Sequence, residues 1–364
     1  MCGYYGFGNL GDEAVLAGIL AAVRRLAPGL RVVVLSGDPA ATLSAHRVET
    51  THRSPAAVWR ALAGARLLIM GGGSLVQDVT SARSALYYLG VMLAARMRGV
   101  PVAAIGQGVG PLRRRWLRAL ARAAFTRAAL VDVRDHDSAA TLAALGVRRP
   151  VRVSADLAFL LDPAPAAQVQ AMLARYRLDR AGVRVGVAPR LWPGLPPAAA
   201  MGAVLRRFAG EVDGAVAVFL FDRVRDRTLG YELAAAAGGR VVEAATPADL
   251  LGLVGAMDLV VGVRLHALVF AAAAGVPAVG VAYDPKVAAF AAAQGLPAVP
   301  VDTSPEALAH ALRAAWAARA SLRARLQDAS GQLRAAAAEA VAAALAAGGV
   351  ALPHRQEFPH SGRK

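Results

Sequence analysis

Cysteine is almost missing from this chain. The single cysteine, Cys2, excludes a disulfide framework and any cysteine-based zinc site. Lysine is nearly as scarce: only Lys286 and Lys364 stand against 39 arginines, while asparagine occurs once, at Asn9, and isoleucine three times. Such a bias is what a GC-rich coding sequence produces. The net charge of +16 therefore reflects codon usage as much as an acidic ligand. The same bias marks Lys286 and Asn9 as residues retained for something that arginine or another side chain does not supply. Seven histidines are scattered with no HxxH or HExxH spacing, so no metal is expected. Residues 1–20 hold Asp12, Glu13 and several glycines instead of a basic start and an apolar run, which argues against a secretory signal. The longest apolar stretch, Leu265 to Tyr283, is broken by His266, Gly275, Pro277 and Gly280. It divides into a helix and a buried strand, so a cytoplasmic, soluble protein is expected.

What is present is apolar and periodic. With 364 residues, 56% of them hydrophobic, the chain can fill two cores of ordinary domain size. Short apolar runs such as Arg31–Leu35, Leu67–Met70, Val102–Ile105 and Leu130–Val133 alternate with helical patterns at 13–27, 82–98, 112–127 and 136–145. The alternation weakens at Asp162–Ala166 and restarts at Arg184. The expected fold is α/β, with two doubly wound Rossmann-like domains and an interdomain cleft, an arrangement resembling GT-B glycosyltransferases. The boundaries read as 1–162, 163–325, a C-terminal helix over 326–347 and a disordered tail over 348–364. One irregularity stands at the start: a glycine loop opens at residue 3 where such a domain should begin with a strand. A late-placed start that omits the first strand is the expectation.

Motifs gather where strands should end. Gly3-Tyr-Tyr-Gly-Phe-Gly-Asn-Leu-Gly-Asp-Glu13 precedes a helix, with Gly8, Asn9, Asp12 and Glu13 as candidate ligand contacts. Helix capping explains the acids equally well, but not the glycines. Gly71-Gly-Gly-Ser-Leu-Val-Gln77 reads as a second glycine turn after a strand. Gly72 and Gly73 would let a phosphate or sugar ring approach the backbone, with Ser74 and Gln77 as donors. Gly106–Pro111 repeats the pattern more weakly. Arg134 closes a strand, and Arg190 follows another; either guanidinium suits a carboxylate or phosphate. Arg264-Leu-His266 lies between a strand and an apolar helix, and Tyr283-Asp-Pro-Lys286 follows the next strand.

Together GYYGFGNLGDEAVL, GGGSLVQDVTS, GQGVGPL, VRDHDS, ADLAF, RLHALVFAAAAGVP and AYDPKV resemble the polysaccharide pyruvyl transferase family, CsaB type, over nearly the whole chain. The resemblance implies transfer of pyruvate from phosphoenolpyruvate onto two hydroxyls of one sugar as a cyclic ketal, with release of phosphate and no cofactor. It further implies an N-acetylmannosamine acceptor in a lipid-linked secondary cell-wall polysaccharide precursor, which serves to anchor surface-layer proteins through SLH domains. Family residues thought to act on donor or catalysis fall on Arg134, His266 and Lys286. Histidine titrates near neutral pH, which suits His266 to proton transfer, while Arg134 and Lys286 would hold carboxylate and phosphate. Asp12 or Glu13 could orient acceptor hydroxyls. A basic face would suit an anionic inner-membrane surface where a lipid-linked acceptor resides.

Two other readings compete. A nucleotide-sugar glycosyltransferase on the same plan needs an acid near the ribose, yet Asp284 is the only one between 264 and 286. A non-catalytic nucleic-acid-binding protein, prompted by the charge, needs clustered basic and aromatic residues. Arginines here are spread along helices, and only 5% of residues are aromatic, so no nucleic-acid partner is expected.

Overall fold

The computed structural model describes residues 1–352 except Thr80. The chain forms two compact units. One holds Met1–Phe7, Asp12–Leu161 and the chain from Gly331 onward; the other holds Gly8–Gly11 and Asp162–Ser330.

In chain order, the elements up to residue 161 are α1 (Leu10–Leu26), β1 (Val33–Ser36), α2 (Pro39–His46), β2 (Glu49–His52), α3 (Pro55–Leu62), β3 (Leu68–Met70), β4 (Gly73–Val76), α4 (Ala82–Met97), β5 (Val102–Val109), α5 (Arg115–Thr126), β6 (Leu130–Val133), α6 (His136–Ala144) and β7 (Arg152–Val153). All strand pairs are parallel, β2–β1 on one side and β3–β5–β6–β7 on the other, with β4 also on β5. Cys2 joins the two ladders. It bridges Leu35 and Met70 in parallel, its amide donates to the Ile69 carbonyl at 2.9 Å, and its carbonyl accepts from Gly71 at 2.9 Å. Met1 and Cys2 thus stand in the first-strand position that the sequence left vacant. Counted as such, they give the order 3-2-1-4-5-6 of a doubly wound sheet, with the short β7 added at the far edge. Every residue of β5 is buried, as a parallel strand covered on both faces requires. A cavity of about 750 Å³ opens at the amino-terminal edges of β1 and β3, lined by Met1, Val33, Leu62 and Leu68. That is the opposite end from where doubly wound sheets bind ligands.

The second unit contains α7 (Ala166–Arg175), β8 (Val183–Ala188), α8 (Ala198–Glu211), β9 (Gly214–Phe219), α9 (Arg227–Ala237), β10 (Arg240–Val242), α10 (Pro247–Gly255), β11 (Leu259–Gly262), α11 (Leu265–Ala273), β12 (Ala278–Ala282), α12 (Pro285–Ala293), β13 (Ala298–Pro300) and α13 (Pro305–Ala317). Its sheet runs β10-β9-β8-β11-β12-β13, all parallel, which is again the order 3-2-1-4-5-6. The order reverses between β8 and β11, so the ligand crevice of this unit lies beyond the carboxyl ends of those two strands. Local chemistry fixes the helix starts. Thr246 and Asp249 form a reciprocal capping box on α10, and Asp284 and Ser304 cap α12 and α13, each such cap contributing about 1 kcal/mol.

Three expectations need correction. The expected helix over 326–347 is the later part of one helix, α14 (Arg319–Ala347), and from Gly331 onward it belongs to the first unit. Burial of Ala337, Ala338, Val341, Ala344 and Leu345 explains why, since small side chains let this face pack closely. Gly348 follows the same path, where a Cβ would come within 2.8 Å of the Leu67 Cβ. Of the expected tail, residues 353–364 lie outside the described residues. The glycine turn at 71–77 contains a strand, because Gly73–Val76 pairs with β5. Gly106–Val109 continues β5 past a register shift between Ala104 and Gln107 instead of forming a loop.

Candidate active site

In the first unit, Arg134 leaves the end of β6 and its guanidinium is 6% exposed. Nη1 donates to Asp156 Oδ2 at 3.0 Å, Nη2 to Ser74 Oγ at 2.9 Å, and Nε to Asp135 Oδ2 at 3.4 Å. The group lies flat over β5, where a Cβ at Gly108 would come within 2.8 Å of Nη2. Ser74 is therefore brought to Arg134, as a partner of the guanidinium. Gln107, buried in β5, donates its amide to the Met70 and Gly71 carbonyls and pins the glycine segment. Gly72 and Gly73 are needed there for different reasons. A Cβ at Gly72 would lie 2.9 Å from the Gly106 carbonyl oxygen, whereas Gly73 has φ +102°. Asp12 reaches this turn: its Oδ1 would be 3.1 Å from a Cβ at Gly73. Gln77 Oε1 accepts from the Val79 amide at 2.8 Å, shaping the chain after β4. Asp78 beside it is buried; burial opposes its ionisation, but the Arg113 and Arg114 amides and the Arg114 guanidinium outweigh that and hold its pKa below the usual value.

Glu13 and Asn9 are engaged locally. Glu13 Oε1 accepts from the Gly6 amide at 2.7 Å, and Oε2 lies 2.9 Å from His46 Nε2. Asn9 Oδ1 accepts from the Gly11 amide at 3.1 Å, which caps α1. Gly8 has φ +74° with open space around it, so backbone conformation alone demands glycine there.

In the second unit the candidate residues follow three strands of one sheet. Arg190 follows β8, Arg264 and His266 follow β11, and Lys286 follows β12. Arg264 is 7% exposed and clamps Asp226 with two bonds, Nε to Oδ2 at 2.6 Å and Nη2 to Oδ1. Burial pushes the Asp226 carboxyl upward against the pull of that guanidinium. Asp226 also accepts from the Asp222 amide at 2.9 Å, so Arg264 locks the 222–226 turn to the start of α11. His266 occupies the first turn of α11 with its ring flush on Gly11, where a Cβ would come within 2.8 Å of the His266 Cβ and nearer still to Cγ and Nδ1. Lys286 Nζ lies 3.1 Å from Asp284 Oδ2, while Asp284 Oδ1 caps the helix at the Lys286 amide. Arg190 and Lys286 share one ring: the Arg190 guanidinium carbon is 4.7 Å and Lys286 Nζ 5.7 Å from the Tyr283 centroid. Trp192 packs on Tyr283 at 4.7 Å and takes Arg190 at 5.4 Å. Arg190 makes no ion pair among the described residues.

The motif order and this strand-end geometry now meet an independent comparison: the family description "Polysaccharide pyruvyl transferase" matches residues 9–285. The chain belongs to the polysaccharide pyruvyl transferase family. No curated protein matches the sequence. Among solved structures, UDP-GlcNAc 2-epimerase from Neisseria meningitidis bound to UDP-GlcNAc superposes with a TM-score of 0.65 at 11% identity, covering 95% of this chain and 100% of that one. Anabaena Alr3699/HepE in complex with UDP gives 0.62 at 14% identity, covering 95% and 99%. WaaG, a glycosyltransferase involved in lipopolysaccharide biosynthesis, gives 0.55 at 15% identity, covering 93% and 97%. These likenesses establish a GT-B-like fold of two Rossmann-like units. Among the described residues, no helix is long and apolar enough to cross a membrane.

Sequence reasoning missed four residues that hold the candidates in place: Asp156, Asp226, Trp192 and Tyr283. A signal existed for two of them. Asp156 is the only acid of the ADLAF segment, and Tyr283 opens the YDPK segment. Asp226 lies 38 residues from Arg264, where no spacing rule connects them.

Proposed function

We propose that this member of the family takes pyruvate from phosphoenolpyruvate and sets it as a cyclic ketal on two hydroxyls of one sugar. Protonation of the donor's methylene carbon makes C2 oxocarbenium-like. A first sugar hydroxyl attacks C2 and loses its proton. A second hydroxyl then replaces the phosphate at C2, so two C–O bonds form, one breaks, and inorganic phosphate leaves. His266 is proposed as the group that gives and recovers the proton. Arg190 and Lys286 hold the donor's anionic groups, and Arg134 is a guanidinium suited to a carboxylate. Asp12 is proposed to orient acceptor hydroxyls from beside the Gly73 turn. The acceptor is proposed to be an N-acetylmannosamine residue of a lipid-linked secondary cell-wall polysaccharide precursor, made on the cytoplasmic side for anchoring surface-layer proteins.

One observation carries most of this reading: Arg190, His266 and Lys286 follow β8, β11 and β12, side by side at the ligand-binding end of one sheet. Asp284, the only carboxylate from 264 to 286, is bonded to Lys286 and caps α12, so it offers no free acid for a ribose. The test incubates the protein with phosphoenolpyruvate and candidate saccharide acceptors, following phosphate release and a product heavier by one pyruvyl ketal. Thermal shifts with UDP-sugars run alongside. Stabilisation by a UDP-sugar and none by phosphoenolpyruvate would overturn the proposal in favour of glycosyl transfer.

A further inference from the structure

The segment between Cys2 and Gly8 carries three aromatic rings, and the donor chemistry uses none of them. Tyr5 is fully buried, its ring against Gly3 and its hydroxyl against Gly71. Tyr4 and Phe7 instead stack on each other, with centroids 4.4 Å apart and planes at 19°. Phe7 is 38% exposed, a large apolar ring left partly open to water. It rests on Gly37, just past the end of β1, where a Cβ would come within 2.6 Å of its Cζ. Arg53, just past the end of β2, places its guanidinium carbon 5.0 Å from the Phe7 centroid and 4.0 Å from that of Tyr87. Arg53 makes no ion pair among the described residues. A partly exposed ring and a guanidinium without an ion-pair partner therefore sit together at the carboxyl ends of β1 and β2, the ligand-binding end of this sheet.

The site is separate from Arg134. From β1 through Cys2, β3 and β5 to β6 there are four strand spacings, about 19 Å at ~4.8 Å each. A three-carbon donor cannot span that distance. The chemistry instead matches a saccharide with an attached anion. The C–H face of a pyranose is positively polarised and packs on the negative face of an aromatic ring. A guanidinium stacked on rings keeps its N–H edge for bidentate bonds to phosphate. We propose that Phe7, backed by Tyr4, and Arg53 form a subsite for a glycosyl phosphate, the ring on Phe7 and the phosphate on Arg53. The inference rests on the reading of this protein as acting on a saccharide, but not on the identity of its donor.

Calorimetric titration of the full chain, without phosphoenolpyruvate, tests the subsite using N-acetylmannosamine 1-phosphate, neutral N-acetylmannosamine and inorganic phosphate as probes. The sugar phosphate should bind at least tenfold tighter than either part. Phe7→Ala should weaken it about tenfold, and Arg53→Gln at least tenfold, with Arg53→Lys between because an ammonium lacks the fork. Thermal unfolding of each variant checks that it folds, and Arg53→Lys keeps the charge if Arg53→Gln does not. Equal affinity for all three probes, or wild-type affinity in folded Phe7 and Arg53 variants, overturns the proposal. Because no donor is present, a failed pyruvyl transfer assay leaves this outcome unaffected.

Discussion

Gly11→Ala separates two physical effects that usually travel together. Gly11 is the second residue of α1, and replacing a helical glycine with alanine ordinarily stabilises by about 0.5–1 kcal/mol. Here the added methyl would come within 2.8 Å of the His266 Cβ, and nearer still to two ring atoms. Ordinary carbon contacts are ~3.5–4.0 Å, so the imidazole must move by about 1 Å. For a proton-transfer group, a displacement of about 1 Å costs on the order of 100-fold in turnover. The expected result is kcat for phosphate release reduced about 100-fold at saturating donor, with no gain in thermal stability. Gly90→Ala is the control, since Gly90 lies in α4 with nothing within 4 Å of its Cβ position. It should gain the helical increment and leave kcat unchanged. If Gly11→Ala behaves like Gly90→Ala in both measurements, His266 is not held against Gly11 or does not act in the reaction.

A further outcome concerns stability. Asp226→Ala strands the buried Arg264 guanidinium and should cost about 3–5 kcal/mol in urea unfolding, whereas Asp226→Leu combined with Arg264→Met recovers much of it; strictly additive losses would contradict a coupled pair.

The second unit was the more legible half, and the reason is local. Its strands are continuous apolar runs between Gly, Pro and cap residues, so the alternation expected to restart at Arg184 does so on β8, Val183–Ala188. Residues 39–62 gave no such signal. Strand β2 is Glu-Thr-Thr-His with no fully buried residue, and the short α2 has no clear apolar face, so periodicity misses both. At the site, positions could be read but partners could not. Strand ends follow from the alternation of elements, which placed Arg134, Arg190, His266 and Lys286. Their partners are set by tertiary approach: Asp156 is 22 residues from Arg134, and Trp192 and Tyr283 meet across two strands. The exception is Asp284, whose cap of α12 and contact with Lys286 arise within three residues.

The counter-ions rank the cations as anion ligands, and the ranking is testable. Phosphoenolpyruvate carries several negative charges, so it gains most from positive charge that the protein has not already neutralised. Arg264 is spent on Asp226, and Arg134 is flanked by Asp156 and Asp135. Lys286 shares its charge with Asp284, although both remain partly exposed, at 26% and 18%. Arg190 alone of the four meets only aromatic rings among the described residues. Removing it should therefore weaken donor binding most. A charge-assisted bond contributes about 1.5–3 kcal/mol, so Arg190→Ala should raise the KM for phosphoenolpyruvate roughly 10- to 150-fold. Arg190→Lys should recover part of that, since an ammonium also sits over Tyr283 without a carboxylate partner. Lys286→Met should raise KM by less than Arg190→Ala, because the Lys286 charge is already shared with Asp284 before the donor arrives. Initial rates at varied donor and saturating acceptor give both constants. A larger KM effect at Lys286 than at Arg190 would mean that the donor's charge is met elsewhere, and the order argued from counter-ions would fail.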